Sequence, residues 1–440
     1  MSVINPLSVR EVLDKYILAD GFEPVIDLEK SHGSWLVDAR DGREYLDLFS
    51  MFASMPVGYN HPRLIAAKDR LLTAAVNKPT NSDVYTIQLA EFIDTFFNVA
   101  VPEQFAHAFF IEGGALAVEN ALKAAFDWKV KKNAIRNGTT MDVGSQVIHF
   151  QQCFHGRSGY TLSLTNTADA RKTAHFPKFD WPRIINPKVI FPLDEENLIK
   201  VKRIEEQAIE QINDVIRSDS SDIAALIIEP IQGEGGDNFF RKEFLQSLRE
   251  ICDDNDIMLI FDEVQTGMGL TGKMWAWENF EVAPDLMSFG KKTQVCGFIS
   301  SRRIDEVPDN VFKESSRINS TWGGNLTDMV RSTLYLEIIK EENLLEVVQE
   351  NGRYLLEKLI SLQEEFPDKI MNPRGMGLMC AFDLSSGEQR DELANRILNN
   401  GAFILGSGIN TIRFRPPLNI SPQEIDFGID IVRSSLKQLI

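Results

Sequence analysis

Cysteine is scarce in this sequence and forms no pattern. Only 4 of the 440 residues are cysteine and 6 are histidine. Cys153, Cys252, Cys296 and Cys380 make no CxxC pair and share no ligand spacing with a histidine. Neither a disulfide framework nor a metal centre is therefore expected, and scattered reduced thiols predict a cytoplasmic protein. Long apolar stretches are absent too: nothing approaches the roughly 20 residues that a bilayer-spanning helix needs. The opening MSVINPLSVREVLDKY has a charge every few residues and no apolar core of the secretory kind. Basic residues are the minority, 46 Lys and Arg against 64 Asp and Glu for a net charge of −18, and they form no long run. That argues against nucleic acid or a membrane surface as main partner, while leaving local basic pockets for small anions open. Internal repeats, low-complexity tracts and long linkers are missing as well, so the domains are expected to be tightly joined.

What is present is an ordinary globular composition, 43% hydrophobic, with enough chain for a large core in two or three domains. Residues 1–60 read as short strands and turns, and WLVDARDGREYLDLF alternates around an Asp-Gly turn as a hairpin does. Pro62 to Val99 reads mostly as helix, broken at Lys78-Pro79. From Phe105 onward, HAFFIEG, QVIHF, VIFP, IAALIIEP, IMLIFDE, DLMSFG and CGFISS are short, continuously apolar runs. Such runs suit strands buried on both faces of a mostly parallel sheet. Helices at Ala115–Val130 and Arg241–Asp254 fall between them, giving the alternation of an α/β fold. After Gly324, EIIKEENLLEVVQENGRYLLEKLISLQEE predicts a long helix broken near Gly352. A strand (GLMCAFDL), a helix (ELANRILNN), a strand (INTIRFRPP) and a last helix from Ser421 complete a smaller α+β domain. The expected division is an N-terminal segment (1–60) packing with the small domain, a large domain (61–330), and the C-terminal small domain (331–440).

A parallel sheet binds its ligands beyond the carboxyl ends of its strands. Glu112, Glu229, Asp262 and Lys291 each follow one of the apolar runs, so all four are expected to face one crevice. Lys291, after Phe289-Gly290, sits where desolvation strips an amine of its proton, the condition for imine chemistry. Lys292 is expected to point away, as neighbours in an extended segment do. Asp262 ends IMLIF, where an unpaired carboxylate would be costly to bury. Opposite a pyridinium nitrogen it is paired, and it keeps that nitrogen protonated. The pair predicts pyridoxal 5'-phosphate as cofactor. Val264 is placed to pack on the ring and Gln265 to hydrogen-bond its oxygen. Gly113-Gly114-Ala115, between a strand and a helix, lets backbone approach a phosphate at the positive helix end. Phe154 is placed to stack on a flat ring, and Arg157 to grip a substrate carboxylate through two parallel hydrogen bonds. Arg413 in INTIRFRPPL is a second arginine in an apolar setting and needs an anionic partner. Arg415 shares its strand face, and the pattern does not choose between them.

Lys291, Asp262, the IIEP and FDEVQTG runs, FHGRSGYT and RFRPPL together resemble a class III pyridoxal phosphate aminotransferase, from about Gly33 to Pro417. The resemblance implies fold type I, a mostly parallel seven-stranded sheet in the large domain, and a homodimer with shared sites. EGGALAVENALKAAFDWK, FGKKTQVCG and NSTWGGNLTDMVR are more narrowly similar to the lysine ε-aminotransferase group within it. Two departures from the wider class support the narrowing. Gly113-Gly114-Ala115 stands where many members carry a hydroxyl, leaving the backbone amides of Gly114 and Ala115 for the phosphate. Thr293-Gln294-Val295-Cys296 stands where many have a glycine run. Thr321, given by the partner subunit, is a further implied ligand. The implied substrates are L-lysine and 2-oxoglutarate, with Lys291 binding the cofactor and shuttling the proton. Lysine reacts at a carbon with no neighbouring carboxylate, whereas 2-oxoglutarate reacts beside one. Glu234 is expected to pair with Arg413 for the first and swing away for the second, while Arg157 holds the distal carboxylate of both. Met51, Phe52 and Ala53 are candidates for lining the methylene tunnel. The alternatives are an ornithine or 4-aminobutyrate aminotransferase, an aminomutase or decarboxylase on the same fold, and a silent scaffold.

Overall fold

The computed structural model describes residues 4–138 and 143–439. Seven strands make its central sheet: Phe105–Ile111 (β1), Gln146–Phe150 (β2), Arg183–Ile184 (β3), Ile223–Ile228 (β4), Met258–Asp262 (β5), Leu286–Phe289 (β6) and Cys296–Ser301 (β7). Their spatial order is β1-β7-β6-β5-β4-β2-β3. Neighbours are parallel except around β7, which runs antiparallel to β6 and β1.

The sheet is covered on both faces, which explains why its strands lack polar alternation. Ala225, Ile227 and Ile260 meet Val118, Ala121 and Leu122 of helix Gly114–Asn137 (α1) on one side. Leu226, Ile228, Leu259 and Phe261 share the other core with Ala208 and Ile212 of helix Glu195–Asp219 (α2) and Phe244, Leu245 and Leu248 of helix Lys242–Asp254 (α3). One expected strand is missing. VIFP forms no strand; Val189 only donates its N–H to the Phe239 carbonyl at 2.8 Å. The sheet edge is instead β3, whose 2 residues are too short to register as a periodic run.

The segment before β1 folds as helices Pro62–Ala66, Lys68–Val76 and Ile87–Val99, with the expected gap around Lys78-Pro79. Beyond the central sheet come helices Leu326–Glu341 (α4) and Leu344–Glu365 (α5). The break lies at Glu342-Asn343, not Gly352, and Asn343 takes a left-handed φ of 50°. Gly352 lies inside α5, where a Cβ would come within 2.3 Å of the Gly377 carbonyl. Close approach, and not helix termination, is what requires glycine there.

Strands Met371–Met376, Met379–Asp383, Thr411–Phe414 and Leu405–Ser407 form an antiparallel sheet in that order. The predicted hairpin pairs Trp35–Val37 with Glu44–Asp47, and Ala402–Phe403 adds to the latter in parallel. The first sixty residues are not all strand and turn, since Val9–Asp14 is helical. Among the described residues no helix is long and apolar enough to cross a membrane.

One segment departs from ordinary backbone. Ser50, Met51, Phe52 and Ala53 take φ of 40°, 51°, 58° and 64°, a left-handed turn with no glycine in it. Buried Asp47 holds its start by accepting the Phe49 and Ser50 amides at 2.9 and 2.6 Å, and Ser50 Oγ donates to the Arg415 carbonyl at 2.6 Å.

Candidate active site

The carboxyl ends of β4, β5 and β6 bring Glu229, Asp262 and Lys291 to the wall of one cavity of about 560 Å³. Glu112 does not join them. Residues 113 to 115 reach the cavity, while the Glu112 side chain turns outward and pairs with Lys78 at 3.0 Å.

Lys291 and Lys292 part company for a reason beyond strand alternation. Lys291 takes a left-handed φ of 52°, an unfavourable conformation for a residue with a Cβ. The reversal sends Lys291 into the cavity and buries Lys292 beneath it, with Lys292 Nζ donating to the Gln265 carbonyl at 3.2 Å. Burial, and then the neighbouring charges of Arg413 and Arg415, push the Lys291 amine down to about 8. Burial and then Lys291 depress Lys292 well below the usual lysine range. The residues after the lysine prove to be structural ties. Gln294 Nε2 donates to the Ser54 carbonyl at 2.7 Å and the Lys291 carbonyl at 3.1 Å, linking the left-handed turn to the lysine turn.

Asp262 is only 5% exposed. Its Oδ2 meets His155 Nδ1 at 2.8 Å, and its Oδ1 accepts the Val264 amide at 3.1 Å. Burial works against a charged His155, yet the Asp262 carboxylate helps to outweigh it and holds the imidazole well above its usual range. Glu229 accepts the Phe154 amide at 2.8 Å and the Gly233 amide at 3.1 Å, so it clips two loops of the cavity together. Burial pushes its carboxyl up to about 7. Sequence reasoning gave neither residue a role. His155 lies one residue from Phe154, but only the fold shows that it meets an acid in β5.

These residues fit a flat, phosphorylated pyridine. At the start of α1, Gly113 has a φ of 99°, and among the described residues no side chain caps the helix. The first amides of this 24-residue helix, Gly114 and Ala115 among them, thus face the cavity ready for an anion. A Cβ on Gly114 would come within 2.9 Å of Val264 Cγ1, so only glycine lets this backbone lie flush against the expected ring contact. Phe154, Asp262, Val264 and Gln265 line the same space as Lys291. Thr321 is exposed and outside the cavity of its own chain, its carbonyl accepting from Ser82 Oγ at 3.3 Å.

Lys291, Phe154, Gln265 and Glu234 also line an adjoining cavity of about 470 Å³ together with Arg157 and Arg413. Here the structure separates the two arginines that the sequence left equivalent. Arg415 hydrogen-bonds the buried Asp237 carboxylate and, at 3.3 Å, Gln265 Oε1. Arg413 is 6% exposed, and its Nε and Nη1 have no partner among the described residues. Burial, then Arg415, push its guanidinium down to about 10, which still leaves it charged at neutral pH. Glu234, expected to pair with Arg413 only while lysine reacts, is held elsewhere here. Its Oε1 accepts from Lys172 Nζ at 2.6 Å and Thr167 Oγ1 at 2.8 Å, and its buried Oε2 has no partner among the described residues. Of the three tunnel candidates only Phe52 lines this cavity, since Met51 packs with the Tyr45–Phe49–Phe403 cluster and Ala53 lies in the main core.

The family model for class-III aminotransferases matches residues 17–436. An L-lysine-epsilon aminotransferase from Mycobacterium tuberculosis is 51% identical over 435 residues, which cover 98% of this chain and 96% of that one. The protein of the same description from Streptomyces clavuligerus is 46% identical over 437 residues, 98% of this chain and 95% of its own. Among solved structures, the lysine aminotransferase from M. tuberculosis in the internal aldimine form matches with a TM-score of 0.96 at 51% identity, over 99% of this chain and 100% of that one. Such a match, on a fold-type-I scaffold whose cavity suits pyridoxal 5'-phosphate, makes this chain a member of the class-III aminotransferases, enzymes that work with that cofactor.

Proposed function

We propose that this aminotransferase moves the ε-amino group of L-lysine to 2-oxoglutarate. The products are L-glutamate and 2-aminoadipate 6-semialdehyde, which closes to piperideine-6-carboxylate. The observation that carries the reading is the buried guanidinium of Arg413, whose Nε and Nη1 have no partner among the described residues, beside the Glu234 carboxylate, whose Oε2 likewise has none there. A buried charge calls for a counter-ion. The α-carboxylate of 2-oxoglutarate supplies one beside its reacting carbon; the ε-carbon of lysine brings none, and there Glu234 takes its place. Relatives described as L-lysine-epsilon aminotransferases, at 46–51% identity over nearly the whole chain, support the same donor.

Bound pyridoxal phosphate supplies the carbonyl that condenses with the amine and the ring that takes up the electron pair released at the reacting carbon. The remaining work falls to side chains. Lys291 would bind the cofactor and, as a free amine, would carry the proton to and from the reacting carbon. Asp262, oriented by His155, keeps the ring nitrogen protonated. Gly114 and Ala115 amides meet the phosphate, joined by Thr321 of the partner subunit in a homodimer. Phe154 and Val264 hold the ring, Gln265 bonds its oxygen, and Arg157 grips the distal carboxylate of either substrate. We assign the enzyme to the cytoplasm and divide it into residues 1–60, 61–330 and 331–440.

Single-turnover measurement of both half-reactions in Arg413→Ala tests the assignment. The 2-oxoglutarate half is expected to fall by about 100-fold, the order of a lost charge-assisted hydrogen bond pair, and the lysine half by far less. Equal damage would sink it. Donor choice needs a second assay, because lysine and ornithine differ by one methylene, worth only about 1–3 kcal/mol in a pocket. With 2-oxoglutarate and lysine the cyclic imine should have a six-membered ring; faster turnover of ornithine, giving a five-membered one, favours the alternative donor.

A further inference from the structure

Glu234 is gripped here by groups that have no part yet in the reaction. Its Oε1 takes two donors, Lys172 Nζ at 2.6 Å and Thr167 Oγ1 at 2.8 Å. Lys172 closes the short 3-10 turn Ala170–Lys172, and the nearest acid in sequence, Asp169, is occupied by Arg171 at 2.8 Å. Lys172, Glu234 and Arg413 all line the cavity that also holds Lys291. Two cations thus flank one carboxylate.

The backbone around that carboxylate is pinned. Gly408 donates its N–H to the Glu234 carbonyl at 2.7 Å. A Cβ on Gly233 would lie 2.0 Å from Gln265 Oε1, and one on Gly235 would lie 1.9 Å from the Gln152 carbonyl. The flanking glycines mark tight packing and not a hinge, so Glu234 changes partners by rotating its side chain. A rotating carboxylate between two cations has two resting places, and whichever cation binds it better sets the populations.

We propose that Lys172, assisted by Thr167, is a positioning residue that draws Glu234 away from Arg413 and so clears the arginine for 2-oxoglutarate. The inference rests on the assignment of Arg413 and Glu234 above. It makes the balance between the two substrates a property of a surface-side lysine, 35% exposed, that needs to touch neither of them. Without Lys172 the carboxylate favours Arg413, and an incoming 2-oxoglutarate must displace it. Lysine, which reacts while Glu234 and Arg413 are paired, loses nothing.

The test uses the holoenzyme with Lys172→Met, Lys172→Arg, Glu234→Gln and the Met–Gln double variant. Affinity for glutarate, an unreactive dicarboxylate, is measured by calorimetry beside the KM for each substrate. In Lys172→Met, glutarate and 2-oxoglutarate are expected to bind about tenfold more weakly, the equivalent of about 1.4 kcal/mol. The lysine KM should hold or fall, and Lys172→Arg should restore the wild-type values. In the Glu234→Gln background, Lys172→Met should add nothing. Weakening of both substrates together would mean that Lys172 grips the distal carboxylate itself, and would overturn the proposal. So would no change in either, or an effect that persists without Glu234. If Glu234→Gln alone leaves both half-reactions as in wild type, the underlying assignment fails instead, a result distinct from a silent Lys172→Met.

Discussion

The clearest quantitative consequence concerns the proton on Lys291. An ordinary lysine amine at 10.5 is neutral in about three molecules per ten thousand at pH 7; at about 8 the share is about one in ten. Burial and the adjacent arginines therefore raise the reactive form roughly 300-fold at neutral pH. The assay is recapture of pyridoxal phosphate by the apoenzyme, followed by its visible absorption across pH 6 to 10. The rate should climb about tenfold per pH unit and level off near 8. Removing a like charge in Arg413→Met is expected to move the midpoint up toward the ordinary lysine value, since Arg413 ranks next after burial among the causes. Apoenzyme stability should follow the same titration. A lysine depressed in the fold contributes stability that is present above 10.5 and is lost as the pH falls through 8, so the apoprotein weakens across that window. A wild-type midpoint near 10.5 would refute the reasoning, and an unmoved midpoint in Arg413→Met would leave burial and Arg415 as the causes.

Glu229→Gln tests the opposite sign. A carboxyl raised from 4.5 to about 7 gives stability that is full below pH 4.5 and lost as pH rises through 7, so the wild type should lose about 3 kcal/mol over that span relative to the variant in denaturant titrations. Gly352→Ala should destabilise by about 1–3 kcal/mol through overpacking against Gly377, read as a lower Tm with unchanged turnover per folded molecule. Asp237→Ala strands the buried Arg415 guanidinium and should cost about 3–5 kcal/mol, measured by chemical unfolding. A loss under 1 kcal/mol there would show that Gln265 and backbone groups suffice for Arg415.

The sequence was most legible where chemistry sits at strand ends. Asp262 and Lys291 follow continuously apolar runs, and that pattern alone predicts a shared crevice. Glu112 satisfies the same pattern yet faces Lys78, because the pattern specifies position along a strand and not the side to which the next residue turns. β3 went unseen since a two-residue strand has no period. Gly352 read as a break because glycine has low helix propensity, whereas its neighbour across the packing interface decides its place. Arg413 and Arg415 were equivalent until Asp237, distant in the chain, claimed one of them. The Lys172–Glu234 and His155–Asp262 contacts also join distant segments, and no local spacing encodes them.

The left-handed turn at Ser50–Ala53, whose Phe52 lines the reaction chamber, puts strained backbone into the chamber wall. Each such residue with a Cβ costs about 1–2 kcal/mol, so the turn persists only while its anchors do. Those anchors reach Asp47, the Arg415 carbonyl and, through Gln294, the turn bearing Lys291. When warming frees the turn it loosens the catalytic lysine with it, and cofactor should leave before the domains melt. In a more heat-resistant version of the enzyme, relief of backbone tension at this turn and retention of the cofactor would pull the sequence in different directions.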